Sequence, residues 1–131
     1  MIVDSSALLA IILNEPEEDR FTDALAESAH PRMSAATLLE AAIVLEGRSD
    51  PVAVSRFDEI LRVSGVQILP FSETTARIAR QAWRDFGKGR HKAALNFGDC
   101  IAYATAKEAA APLLFKGDDF PHTDIEPALK D

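Results

Sequence analysis

Residues 1–10 read Met1-Ile-Val-Asp-Ser-Ser-Ala-Leu-Leu-Ala10, a short β-prone run that ends on the carboxylate of Asp4 and passes at once into an apolar helical stretch. Short strands continue to alternate with helices along the chain. Strands are predicted at residues 1–4, 32–34, 66–69 and 112–115, with a candidate fifth at 124–126, and helices at 5–14, 17–29, 35–48, 50–63, 72–86 and 98–111. This alternation predicts an α/β protein with a mostly parallel sheet of short strands covered by helices on both faces.

Composition narrows the class of protein. The 131 residues fit a single domain, and 47% hydrophobic residues are enough for a core. One cysteine excludes a disulfide framework and a cysteine-based zinc site. No apolar run approaches the ~20 residues that span a bilayer, so we expect a cytoplasmic protein without membrane contact. The formal net charge of −7 argues at first against nucleic acid, because phosphate binding usually requires a basic surface.

Several carboxylates lie just beyond predicted strands, where parallel sheets bind their ligands. They are Asp4 after the first strand, Glu40 in the helix after the second, Asp99 in the first turn of helix 98–111, and Asp118 and Asp119 after the strand at 112–115. Carboxylates that converge there would repel one another, and without a cation some would be protonated at neutral pH. Hard oxygen ligands without a His or Cys cluster indicate Mg²⁺ or Mn²⁺, and such an ion suits phosphodiester chemistry.

Each carboxylate also has a local explanation. Asp4 can cap the helix that follows it, and Asp99 can favour its helix through the helix dipole. Glu40 fits a capping box that starts at Thr37. Ser34 is the better cap, however, and a helix that starts there places Glu40 inside an apolar run in which it is the only ionisable residue. A carboxylate buried in such a run needs a partner or a metal ion.

Four sequence blocks together resemble the PIN domain, and the length resembles the VapC toxins of bacterial type II toxin–antitoxin modules. The blocks are residues 1–10, Ser34-Ala-Ala-Thr-Leu-Leu-Glu40, Leu95-Asn-Phe-Gly-Asp-Cys-Ile-Ala-Tyr-Ala104 and Leu113-Leu-Phe-Lys-Gly-Asp-Asp-Phe120. The resemblance implies one PIN domain over residues 1–131, with a three-layer α/β/α fold and four to five short strands. It also implies a Mg²⁺-dependent endoribonuclease that hydrolyses RNA phosphodiester bonds, with Mn²⁺ as a substitute ion.

The resemblance assigns roles to the acidic residues. Asp4 and Asp99 are expected to ligate the metal, and Glu40 to bind it through water or to act as general base. Ser6 matches a position that supports the first aspartate. Many relatives carry the fourth acidic residue where this chain has Gly117, so Asp118 is the preferred replacement, as ligand and catalytic residue, with Asp119 in a supporting role.

Positive charge is concentrated in one stretch. Residues 77–92 carry +5, whereas residues 1–31 carry −6 and residues 118–131 carry −4. We define the basic track as the four residues predicted to bind RNA, which are Arg84, Lys88, Arg90 and Lys92. A solvated helix face with a flexible loop is the alternative reading. Trp83 and Phe86 could stack on bases, but packing is the favoured role for both.

The resemblance also implies protein partners. A cognate VapB-type antitoxin is expected in an apolar groove formed by the N-terminal helices. The candidate wall residues are Leu9, Leu13, Phe21, Leu25, Leu39, Ile43 and Leu45. A homodimer is expected to involve the helices at 50–63 and 72–86. Two rival functions remain open from the sequence, namely phosphoryl transfer with Asp4 as acceptor and a non-catalytic PIN-like binding module.

Overall fold

Four short parallel strands form the central sheet of the protein, whose computed structural model describes residues 1–130. The strands are β1 (Ile2–Val3), β2 (Arg32–Ser34), β3 (Gln67–Leu69) and β4 (Leu113–Leu114). Their order in the sheet is β3-β2-β1-β4. Val3 pairs with Leu114 on one side, and Ile2 pairs with Arg32 on the other. The predicted parallel sheet is therefore confirmed, with β1 at its centre.

Six helices cover the two faces of this sheet. They are α1 (Ser5–Ile12), α2 (Glu18–Glu27), α3 (Ala35–Gly47), α4 (Pro51–Ser64), α5 (Glu73–Phe86) and α6 (Phe97–Ala109). The longest, α4 and α5, have 14 residues each. No helix within residues 1–130 is long and apolar enough to cross a membrane.

The alternation of side chains along each strand produces the three layers. Neighbouring residues of a strand point to opposite faces. Val3 and Leu114 belong to one core cluster, which they share with α1 to α4, and Ile2 and Leu113 belong to a second cluster shared with α5 and α6. The two residues of β1, and likewise those of β4, therefore contribute one side chain to each of the two cores. The expected α/β/α architecture is confirmed.

Local sequence signals set the helix starts. Ser34 caps α3 by accepting the backbone N–H of Ala36 at 3.2 Å. Asp50 caps α4 by accepting the N–H groups of Val52 and Ala53 at 3.1 and 3.3 Å, directly before Pro51. Because α3 begins after Ser34, Glu40 lies inside the helix rather than at the end of a capping box.

The prediction of a fifth strand at residues 124–126 is wrong. The segment runs beside β4, where Leu113 donates its N–H to Glu126 at 2.9 Å and accepts that of Ala128 at 2.8 Å. Pro127 occupies the paired position and forms only an isolated bridge. Both hydrogen bonds of this bridge come from the residues that flank Pro127, and the segment forms no second bridge to β4, so it does not become a strand.

Candidate active site

Asp4 follows β1 and is buried, with 4% of its surface exposed. Its Oδ2 accepts the backbone N–H of Ser6 at 3.2 Å and the Ser6 hydroxyl at 2.5 Å, so it does cap α1. Burial raises the pKa of Asp4 to about 6 against the lowering effect of these bonds, and the charges of Asp99 and Glu40 raise it further. Asp4 therefore has two roles at once: it caps α1, and it lies close to two other carboxylates.

Glu40 projects from the middle of α3 towards the start of α6. The Ser5 hydroxyl donates to Glu40 Oε1 at 2.9 Å. At Gly98 there is no room for a side chain, because an added Cβ would overlap the Glu40 carboxylate. The glycine of the Asn96-Phe-Gly-Asp99 block therefore allows Glu40 to approach α6 next to Asp99.

Asp99 lies in the first turn of α6 and forms a reciprocal capping box with Asn96. Its Oδ2 accepts the Asn96 N–H at 3.1 Å, and Asn96 Oδ1 accepts the Asp99 N–H at 2.9 Å. Burial raises the pKa of Asp99 to about 6, opposed by the Asn96 hydrogen bond and assisted by the charges of Asp119 and Glu40. Asp99 therefore lies close enough to two other carboxylates, those of Asp119 and Glu40, for their charges to raise its pKa.

The fourth carboxylate next to Asp99 is Asp119. Asp119 is close enough to share a hydrogen bond with Asp99 when one of the two is protonated, and its charge raises the pKa of Asp99. Asp118 instead lines a groove of about 460 Å³ together with Glu17 and Lys116. The structure therefore places next to Asp99 the residue that was expected only in a supporting role, Asp119, and not the preferred Asp118.

We call Asp4, Glu40, Asp99 and Asp119 the acidic cluster. None of the ion pairs described within residues 1–130 involves one of these four carboxylates. No three His, Cys, Asp or Glu side chains in the same range form a ready-made metal site. The cluster is therefore a concentration of negative charge outside these described ion pairs, rather than a closed cage of protein ligands.

Known proteins are similar to this chain in sequence and in fold. Residues 1–126 match the PIN domain family. Ribonuclease VapC28 of Mycobacterium tuberculosis is 46% identical over 130 residues, covering 98% of each chain, and ribonuclease VapC30 of the same species is 45% identical over 126 residues, covering 95% of each. This chain belongs to the VapC ribonuclease family of PIN-domain proteins.

Solved structures agree with the VapC fold. The toxin VapC20 of Mycobacterium tuberculosis, which cleaves the sarcin-ricin loop, superposes with a TM-score of 0.70 at 19% identity, covering 96% of this chain and 98% of that one. A toxin–antitoxin complex from Klebsiella pneumoniae gives a TM-score of 0.71 at 18% identity, covering 94% and 92%. At these identities the likeness concerns the fold.

Three residues that orient the VapC carboxylates were not among the predicted site residues. Ser5 holds Glu40, Asn96 holds Asp99, and Gly98 provides the space that Glu40 occupies. The signal for Asn96 was present in the sequence, because a side-chain cap three residues before an acidic residue is the spacing of a capping box. No comparable signal distinguishes Ser5 from Ser6. Ser6, which was expected to support the first aspartate, donates its hydroxyl to Asp4.

The basic track is exposed and leads towards α6. Its loop is closed at the base by a bridge between Gly87 and Leu95, which directly precedes the cap of α6. The Arg90 guanidinium lies 4.3 Å from the centre of the Trp83 ring, and Trp83 is 43% exposed. Phe86 is half-buried, as the packing role requires. The base of the loop is therefore closed by backbone hydrogen bonds, and Arg90 packs on Trp83.

Proposed function

We propose that this VapC-family protein is the toxin of a type II toxin–antitoxin module and acts in the cytoplasm as a metal-dependent endoribonuclease. The observation that carries the proposal is the acidic cluster, four carboxylates at the carboxyl edge of the sheet, two of which have pKa values of about 6. Relatives that match nearly the whole chain are named ribonucleases. The fold neighbour VapC20 is a toxin that cleaves RNA at the sarcin-ricin loop.

The chemistry of the acidic cluster fits Mg²⁺, with Mn²⁺ as a substitute. Mg²⁺ prefers oxygen ligands, keeps several waters and is commonly held by one or two carboxylates, so a complete protein cage is not required. We assign Asp4 and Asp99 as direct ligands and Glu40 and Asp119 as supporting carboxylates. When bound, the ion would neutralise the cluster, activate water and stabilise negative charge on a phosphodiester.

Hydrogen bonds within the chain orient Asp4 for metal binding and Glu40 for proton transfer. Both hydrogen bonds described for Asp4 fall on Oδ2, which leaves Oδ1 for a ligand. Glu40 is held by Ser5 in the orientation needed to position a water and to accept its proton as general base. Water then attacks phosphorus as its proton passes to Glu40, and the bond between phosphorus and the 3′-oxygen breaks while that oxygen takes up a proton from solvent, giving 5′-phosphate and 3′-hydroxyl products. The RNA 2′-hydroxyl is not needed as a nucleophile.

The basic track is proposed as the approach for the RNA backbone. All four of its side chains are exposed, and its loop ends at the cap of the helix that carries Asp99. Arg77, on the same helix as Arg84, pairs instead with Glu73 at 2.7 Å. Phosphate contacts from such a track would position the RNA without reading its sequence.

An antitoxin of the VapB type is proposed in the groove between α2 and α4. This groove of about 350 Å³ is mainly apolar and lies between Leu25 of α2 and Ile60 and Val63 of α4. Arg56 and two glutamates lie at its rim, so an amphipathic helix of the antitoxin suits it. Among the wall residues expected from sequence, Phe21, Leu25 and Leu45 are buried, Leu9 and Leu13 are half-buried, and Leu39 and Ile43 are exposed. Direct titration with the cognate VapB-type antitoxin tests this surface, with weaker binding expected for Ile60→Asp than for the wild type.

A homodimer is proposed through the exposed apolar groove of α5 and α6. The groove, of about 390 Å³, includes Phe71, Trp83 and Phe97, and Phe97 is 83% exposed. Exposed aromatic side chains grouped in this way are typical of interfaces between protein chains. Light scattering is expected to give a dimer for the wild type and a monomer for Phe97→Ser. A monomeric wild type would contradict the proposal.

The nuclease proposal is tested by RNA cleavage with Mg²⁺, with EDTA, and in Asp4→Asn and Asp99→Asn. Asp58→Asn, an exposed aspartate on α4, is the matched control. We expect cleavage only with metal and with both aspartates, and an unchanged rate for the control. Undiminished cleavage in EDTA or in either active-site variant would contradict the mechanism. An aspartyl-phosphate at Asp4 is disfavoured, because that carboxylate is buried and hydrogen-bonded.

A further inference from the structure

Lys116 lies two residues beyond β4, and its backbone contacts Ser6, which in turn contacts Asp4 of the acidic cluster. Its backbone N–H donates to the Ser6 hydroxyl oxygen at 2.9 Å, and that hydroxyl donates to Asp4 Oδ2 at 2.5 Å. A backbone N–H can only donate, so the single hydroxyl proton of Ser6 is directed to Asp4. We infer that Lys116 is a positioning residue that fixes the orientation of the Asp4 carboxylate through Ser6.

The side chain of Lys116 anchors this main-chain contact. Its Nζ lies 2.7 Å from Glu15 Oε1 and 3.1 Å from Glu17 Oε2, both in the connection between α1 and α2. Gly117 follows with a φ of +118°, so the chain turns sharply as soon as the amide has been placed. Since β4 ends at Leu114, strand pairing does not hold the Lys116 amide. The two ion pairs therefore anchor the residue that carries this amide.

The function of Asp4 makes its orientation important, and here the inference rests on the proposed metal-dependent activity. Oδ2 of Asp4 is occupied by Ser6, and Oδ1 remains for a cation. Groups that hydrogen-bond a ligand carboxylate commonly change metal affinity about 10- to 100-fold when they are removed. Lys116 acts one residue further away, so we expect a smaller loss, of about threefold to tenfold.

A purely electrostatic effect of Lys116 predicts the opposite change in metal affinity. Removing a positive charge near a cluster of carboxylates should strengthen the binding of a divalent cation, because less positive charge then repels the ion. A positioning role predicts weaker binding despite this gain. The direction of the change therefore distinguishes the two roles of Lys116.

Calorimetric titration of the full-length protein with Mn²⁺ provides the test. Lys116→Met keeps the backbone amide and removes the ion pairs, Lys116→Arg retains the charge, and Lys107→Met is the matched control. Lys107 pairs with Asp124 at 2.6 Å near the far end of α6. We expect about threefold to tenfold weaker binding for Lys116→Met, near wild-type binding for Lys116→Arg and no loss for Lys107→Met. Unchanged or tighter binding by Lys116→Met would overturn the inference.

A second measurement works without metal and separates this inference from the proposed function. The Ser6 and Lys116 amide protons report directly on the two contacts, since the first donates to Asp4 and the second to Ser6. We expect both to exchange with solvent faster in Lys116→Met than in wild type in EDTA. Unchanged exchange at both amides would overturn the positioning role. If wild type binds no Mn²⁺, the proposed function fails, and the exchange rates still decide whether Lys116 orients Asp4.

Discussion

Replacing Asp4 with asparagine should stabilise the metal-free protein at alkaline pH while it abolishes cleavage. Folding raises the pKa of Asp4 from 3.8 to about 6. At about 1.4 kcal/mol per pKa unit, the ionised carboxylate costs the folded state about 3 kcal/mol at pH 8. Because the folded pKa is the higher one, this cost is small below pH 4, grows between about pH 4 and pH 6, and stays constant at higher pH. Asparagine does not ionise, so the cost disappears.

The variant introduces a smaller cost of its own. Asparagine can still accept the two Ser6 hydrogen bonds, but it places an imperfectly paired amide NH2 in a buried position, for which we take a cost of about 1 kcal/mol at either pH. We therefore expect a net gain of about 2 kcal/mol at pH 8, or roughly 5–10 °C in Tm, and none at pH 4.

Urea unfolding in EDTA at pH 4 and pH 8 measures this difference, with Asp58→Asn as control. Excess Mg²⁺ should reverse the order at pH 8, because only the wild type retains the full set of carboxylates for the ion. An equal difference in unfolding free energy at both pH values would refute the reasoning. So would destabilisation by Asp4→Asn at pH 8.

Two further predictions concern the surroundings of the acidic cluster. Gly98→Ala should force the Glu40 carboxylate away from α6. Because a displaced general base affects the chemical step, we expect kcat to fall at least about tenfold with little change in KM. An unchanged kcat would contradict the role of the close contact between Glu40 and α6. The triple charge reversal of Arg84, Lys88 and Arg90 to Glu should weaken RNA binding and reduce its dependence on salt concentration, while circular dichroism stays unchanged. Wild-type binding and salt dependence in that variant would show that RNA approaches from another side.

The sequence was sufficient for carboxylates whose positions follow from a regular element. Asp4 ends a strand, Glu40 lies at a fixed distance from a strand end, and Asp99 lies in a helix turn with a side-chain cap. Each can be placed by counting residues, because strands and helices have fixed periodicities. The structure accordingly brings these three residues together.

Irregular backbone accounts for what counting could not decide. Asp118 and Asp119 are neighbours in a turn that follows the positive φ of Gly117. In such a turn the directions of successive side chains depend on the local dihedral angles, which no spacing rule supplies. The wrong prediction of a fifth strand has a similar origin. The segment forms a single bridge, between Pro127 and Leu113, and residue spacing alone does not show that the pairing stops there.

The overlap of capping and chemistry restricts how an inactive variant should be chosen. Asp4 and Asp99 each accept a backbone N–H at the start of a helix. Alanine at either position would remove a cap as well as a carboxylate, and the lost cap alone costs about 1 kcal/mol in folding. Loss of toxicity in such a variant would then combine two effects, the loss of the carboxylate and the loss of the cap. Asparagine retains the acceptor, so the Asn variants are the appropriate inactive controls in growth assays.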